Sequence, residues 1–320
     1  MARHQLLTRR ALLAGAAAYA ASGLRGASAG RISLGANTAI AGYGLFEAIS
    51  LLRDLGFPVI EIHAMGVPEP APGRFPGFQF DRLAADVKRR ILQALQPFQE
   101  VTAHLPYAGL RYFDAASWQS SAREVEVALE GAAYFGAKVA VVHPIEPTGY
   151  TQEEGWRVML DRFRHWGDLA GKHQVRLAME TGYPRSVHEF VRLVKEVNHP
   201  WVGATIDVGH QSRYEELLAR VKPEQRATPE GRRAYNDTTL SIIEQLREKV
   251  FHLHVHDIDP QTWKEHKPLG TGFVDYPRLI SLLRRIGYQG VLMLEIGAPA
   301  AEMPRDLKDS KWRLEQYLTA

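Results

Sequence analysis

Residues 251–259 read FHLHVHDID, which sets His252, His254 and His256 on every second position and follows them with Asp257 and Asp259. In an extended strand alternate side chains share a face, so the three imidazoles would stand in one row. Imidazole and carboxylate together form the donor set of a divalent metal site, or of proton transfer. A polar strand edge is the plainer alternative. Other short apolar runs finish in the same way, on His63, His104, His143, Glu180, Asp207 and Glu295. Carboxylates set side by side are costly to bury unless a cation neutralises them. The set as a whole points to Mn²⁺, Mg²⁺, Zn²⁺, Fe²⁺ or Co²⁺, with the carboxylate share favouring harder ions. Taken singly, His63, His188 and His252 read as structural histidines and Glu61 as an ion-pair partner. His165 and His199, on or beside helix patterns, read as surface or packing residues.

Something must bring these residues together. Eight short apolar, β-branched runs read as strands: 31–37, 58–63, 100–104, 138–143, 175–180, 201–207, 250–257 and 290–296. Amphipathic patterns such as GLFEAISLLRDLG, EEGWRVMLDRFRHWGDLAGKH and DYPRLISLLRRIG lie between them and read as helices. Gly56, Gly136 and Gly287 stand where left-handed helix caps are expected. Strand and helix alternating eight times fit one (β/α)₈ TIM barrel, which gathers its strand ends in a ring at one mouth. A doubly wound open sheet is the alternative, but no glycine-rich phosphate fingerprint follows any strand. Two long loops, 64–80 and 211–236, would lie over the mouth as lids or binding loops.

The 320 residues, 45% hydrophobic and without cysteine, can bury a large core that owes nothing to disulfides. Residues 1–29 stand apart: a basic start, an Ala/Leu run and a small-residue ASA ending at Ala29 make an export signal. Arg9–Arg10 ahead of Ala11-Leu12-Leu13 gives it the twin-arginine form, which implies a folded, periplasmic product. The apolar run is too short and Ala-rich for a membrane span, so no stable membrane association is expected after cleavage. The signal holds four arginines and no acid, and its removal takes the formal charge from +3 to −1, leaving no basic footprint for nucleic acid. Residues 30–320 then form the barrel domain.

The chain resembles the xylose isomerase-like barrels, the superfamily of sugar and sugar-phosphate isomerases and epimerases that also includes endonuclease IV. The matching pieces are LRDLGFPVIEI, AHLPY (103–107), VVHP (141–144), METGY (179–183), DVGH (207–210), LHVHD (253–257), HKPLGTGFVDY (266–276) and LEIG (294–297), in the family's order. The resemblance implies one divalent ion, Mn²⁺ foremost, held by Glu180, Asp207, His254 and Glu295. It implies that His210 binds substrate or metal, that His104 and His143 match the nuclease histidines or line a sugar pocket, and that His266 precedes the LG-G turn. His256 joins the candidate substrate-binding residues, where many relatives carry lysine. Two departures count against close relatives: Lys264 replaces an aspartate of the nuclease pattern, and Pro260 replaces an arginine of the ketohexose 3-epimerases.

The expected activity is isomerisation or epimerisation of a small sugar or keto-sugar through an enediolate. Glu180 and Glu295 would be the proton-transfer pair, with His210 orienting hydroxyls or shuttling protons. The same apparatus suits a lyase or dehydratase acting on a keto-sugar or keto-glycoside. A metal-dependent phosphodiesterase and a non-catalytic sugar-binding barrel are the other readings. A homo-oligomer is one open outcome for assembly.

Overall fold

The computed structural model describes residues 32–71 and 74–320; residues 1–29, where the sequence places the export signal, lie outside them. Eight parallel strands close into a barrel in chain order: β1 (Ser33–Asn37), β2 (Val59–His63), β3 (Glu100–His104), β4 (Ala137–Val142), β5 (Arg176–Glu180), β6 (Val202–Asp207), β7 (Val250–Val255) and β8 (Val291–Leu294). The ring shuts where Ser33 of β1 pairs with Val291 of β8. These strands are nearly all buried, as strands with a barrel interior on one side and helices on the other must be, which explains their continuous apolar runs. His143, His256 and Glu295 stand one residue past the ends of β4, β7 and β8 respectively.

The α-helices among the described residues are α1 (Leu45–Asp54), α2 (Ala85–Leu95), α3 (Trp118–Tyr134), α4 (Gln152–His173), α5 (Val187–Val197), α6 (Glu215–Arg220), α7 (Pro229–Leu246), α8 (Tyr276–Arg285) and α9 (Met303–Thr319). Side-chain caps fix several starts: Thr151 accepts from the Glu154 amide, Ser186 from Glu189 and Asp275 from Arg278. Gly56, Gly136 and Gly287 do take left-handed φ at helix ends, at 71°, 82° and 71°.

One departure from the sequence reading concerns helices. Residues 211–236, expected as a loop, are largely helical. They carry α6 and the first two turns of α7, which starts at Pro229 because Thr228 caps the Gly231 amide and proline suits a first helical turn. The eightfold strand–helix count calls for a helix after β8 but names no pattern for it; there α9 packs Met303, Leu307, Ser310 and Leu314 inward on a sparse helical stripe. Among the described residues no helix is long and apolar enough to cross a membrane.

Candidate active site

The strand ends meet around one atom. His254 Nδ1 lies 2.8 Å from Glu180 Oε1, 2.9 Å from Glu295 Oε2 and 4.0 Å from Asp207 Oδ2. Strands β5, β6, β7 and β8 thus deliver three carboxylates and one imidazole to a single point. Glu180, Asp207 and His254 are fully enclosed, whereas Glu295 keeps 19% of its side chain exposed and lines a cavity of about 220 Å³.

Beneath the rim, Glu61 of β2 reaches across the barrel to His254. Its Oε1 is 3.1 Å from His254 Nε2, and its Oε2 accepts from Thr102 Oγ1 at 3.1 Å and lies 3.2 Å from His252 Nε2. A carboxylate on Nε2 holds the proton there and leaves Nδ1 as the coordinating lone pair toward the other three acids, the usual device for aiming a ligand histidine. The sequence reading gave Glu61 a neighbour to pair with. Its role as the partner of His254 was missed, although Glu61–His63 and His252–His254 both show the two-residue step that continues a polar face down the barrel.

Asp207 is set by its own motif. Its Oδ1 accepts from the amides of Gly209 at 2.6 Å and His210 at 3.2 Å, tying the DVGH turn to the carboxylate. Any side chain at 209 would meet the His256 ring at 2.5 Å, so the turn needs glycine. His256 receives the His266 amide on Nδ1 at 3.0 Å and faces Asp207 Oδ1 with Nε2 at 3.1 Å. The ring is wholly buried, braces Asp207 through Nε2 and stands against His266 at 4.5 Å between centroids.

The remaining predicted residues crowd the same mouth. His143 Nε2 is 2.8 Å from Glu180 Oε2, and His104 Nε2 is 3.4 Å from it. His104 donates through Nδ1 to the Leu105 carbonyl, and both histidines gather on Glu180. His210 donates through Nδ1 to the Thr181 carbonyl, and its Nε2 stands 3.9 Å from Asp207 Oδ1. His266, held at a left-handed φ of 62°, donates to the Glu295 carbonyl at 2.9 Å and lines the cavity. Its loop is pinned by Asp257, which accepts from the amides of Ile258, Gly270 and Val274. His188, expected as a structural histidine, lies exposed on α5 beside Glu189, while His165 is exposed on α4 and His199 pairs with Asp168, as surface or packing histidines do.

Electrostatics follow from this packing. Burial by itself would raise Glu180, but His143 and His254 outweigh it and hold the carboxyl well below its ordinary range. Glu295 is brought down to about 2 against its burial, chiefly by His254. Burial would lower His210, yet Asp207 and Glu180 push it up to about 9. His254 rises well above 6.5, because Glu295, Glu180 and Glu61 together outweigh its desolvation.

The donor set fits a divalent cation. Among the described residues Glu180 Oε2 is buried and has no aligned hydrogen bond despite its histidine neighbours, which leaves it open to a cation. Three carboxylates and one neutral imidazole suit an ion of the Mn²⁺ or Mg²⁺ type. Further groups with ligand atoms close together are His104–His143–Glu180, Asp207–His256–His266 and His210–Glu265–His266.

The fold is shared with known proteins. The family model described as xylose isomerase-like TIM barrel matches residues 49–315. The L-ribulose-5-phosphate 3-epimerase UlaE of Salmonella typhimurium is 28% identical over 140 residues, covering 43% of this chain and only 42% of that enzyme. The crystal structure of a D-tagatose 3-epimerase-like protein superposes with a TM-score of 0.68 at 17% identity, over 90% of this chain and 97% of that one. The apo 3-keto-D-glucoside 4-epimerase YcjR of E. coli gives a TM-score of 0.62 at 18% identity, over 89% and 100%.

Proposed function

The chain belongs to the xylose isomerase-like TIM-barrel family, and from that premise we propose that it is an epimerase or isomerase of a small carbonyl sugar, dependent on one divalent ion, with Mn²⁺ foremost. The observation that carries this reading is the convergence of Glu180, Asp207 and Glu295 on His254 Nδ1 beside an open cavity. The epimerase names among its relatives and structural neighbours add weight to the same class.

Glu180, Asp207, His254 and Glu295 would hold the ion, which supplies Lewis acidity to a substrate carbonyl oxygen. Glu295, open to the cavity, is placed to take the proton from the carbon beside the carbonyl. Glu180 approaches His254 from the strand-five side and is placed to return a proton on the other face. Two carboxyls from different strands that flank the substrate are what inversion at one carbon requires. His210, with Nδ1 tied to the Thr181 carbonyl, turns its other nitrogen to the site and can hold a hydroxyl or pass a proton. Elimination from a keto-sugar or keto-glycoside begins with the same proton removal and belongs to the same reading. If residues 1–29 act as the proposed twin-arginine signal, the enzyme works in the periplasm on free sugars or glycosides.

A metal-dependent phosphodiesterase is the second reading, favoured by the additional His/carboxylate groups at the rim. Solvent deuterium decides between the two. In ²H₂O the protein loaded with Mn²⁺ should place deuterium beside the carbonyl of a free ketose or keto-glycoside, seen by proton NMR. A panel without exchange, together with two or three tightly held ions per chain and phosphodiester cleavage, would overturn the proposal.

A further inference from the structure

Asn37 and His63 end β1 and β2, the strands that follow β8 and its Glu295 around the ring. They are only 5% and 3% exposed, and both line the 220 Å³ cavity together with Tyr107, His266 and Glu295. Asn37 accepts the Ala39 amide on Oδ1 at 3.3 Å, so its free end is the Nδ2 amide, which has no partner among the described residues. Among the described residues neither ring nitrogen of His63 has a partner either, although the ring stacks on His104 at 4.8 Å between centroids and 3° between planes. Buried polar groups are almost always paired, and two unpaired ones on adjacent strands facing one cavity call for a ligand that pairs them.

We infer that Asn37 and His63 form a neutral hydrogen-bonding subsite that binds a hydroxyl-bearing part of the sugar beside Glu295 of the carboxylate cluster; this rests on the epimerase reading. The chemistry of the two side chains sets the ligand class. Asn37 Nδ2 can only donate, so it takes an acceptor oxygen. An uncharged His63 offers one N–H and one lone pair, which match a hydroxyl in both directions. Burial, with His104 adding to it, brings His63 down to about 4, so the ring stays neutral at physiological pH. Among the described residues no lysine or arginine lines this cavity, and Phe75 gives it an apolar wall suited to C–H faces. A phosphate or carboxylate end would find no countercharge here.

The test combines ring-nitrogen NMR with kinetics. D-tagatose, D-fructose and methyl 3-keto-glucoside are added to the Mn²⁺-loaded, ¹⁵N-histidine-labelled protein, with the His63 signals assigned by loss in His63→Phe. A sugar that undergoes deuterium exchange should move the His63 ring signals. In Asn37→Ala and His63→Phe its KM should rise roughly five- to tenfold each with kcat within about threefold, the effect of one neutral hydrogen bond. His63→Gln, which keeps a donor and an acceptor, should recover most of the loss. Circular dichroism confirms that each variant is folded. Exchange with unmoved His63 signals and unchanged KM overturns the subsite and leaves the epimerase reading intact. Moved signals without exchange on any sugar support the subsite and sink the epimerase reading. Neither exchange nor movement overturns both.

Discussion

His63→Phe should flatten part of the protein's acid sensitivity. Phenylalanine keeps a flat ring against His104 and removes the titratable nitrogens. In the unfolded chain the His63 imidazole ionises near 6.5; in the folded barrel, burial and the neighbouring His104 bring it down to about 4, against the pull of Glu61 and Glu295. The folded value is the lower one, so between pH 6.5 and 4 the unfolded chain holds a proton that the native ring refuses. Stability from this group is complete above pH 6.5 and is lost as pH falls toward 4. A shift of this size corresponds to about 3 kcal/mol at 1.36 kcal/mol per pH unit. Wild type should therefore lose about 3 kcal/mol more than His63→Phe between pH 7 and pH 4. Urea unfolding followed by tryptophan fluorescence at half-unit pH steps measures both curves, and groups that do not touch His63 cancel in the difference. A bound cation only adds to the cost of charging His63, so the sign holds with and without metal. Parallel curves, or a steeper loss in the variant, would refute the assignment of a neutral buried ring.

Glu61→Gln should leave a folded barrel but weaken divalent metal binding roughly 10- to 100-fold, read by competition with a chelator, because Glu61 fixes the His254 tautomer. Unchanged affinity would show that Glu61 merely occupies space. Gly272→Ala should cost about 1–3 kcal/mol and lower the thermal midpoint, since a Cβ there would stand 2.3 Å from Asp257 Oδ1 and 2.3 Å from the Ile258 carbonyl, inside the clamp that carries His266; a midpoint equal to wild type would contradict the rigid clamp. Glu295→Gln and Glu180→Gln should each cut deuterium exchange by at least about 10²-fold, as loss of an acid–base group does, with circular dichroism unchanged; normal exchange in either variant would end the two-carboxyl scheme.

The rim of this site was legible in the sequence because a closed parallel barrel turns eight separate strand ends into one ring. His104, His143, Glu180, Asp207, His254 and Glu295 could be placed there from the order of runs alone, and the structure brings them together. The layer below was harder to read. Glu61 and His252 sit two residues before rim positions on β2 and β7, and sequence shows the alternation but not which partner lies across the interior. Asn37 escaped notice because an amide is neither a metal ligand nor a base, and its meaning depends on an unpaired Nδ2 that only coordinates reveal. The 211–236 segment was mistaken for loop because its charge hid two local signals, the Thr228–Pro229 start and the helix-forming EELLAR run.

The buried column of Glu61, His254 and the three rim carboxylates leads to a last, quantitative consequence. Four acids face one imidazole with Nε2 committed to Glu61, so Nδ1 is the only place on that ring where positive charge can be added. In the metal-free protein that charge is a proton, and His254 is accordingly raised well above 6.5. A divalent ion and that proton compete for the same lone pair, so binding the ion must release the proton. Below the raised value of His254, apparent metal affinity should climb about tenfold per pH unit, and binding of the ion should release protons. Calorimetric titration of Mn²⁺ into the metal-free protein, in buffers of different ionisation enthalpy, counts them directly. Release near zero at pH 7 would mean that the ion binds without His254 Nδ1, and the four-residue site would have to be abandoned for one of the other His/carboxylate groups at the rim.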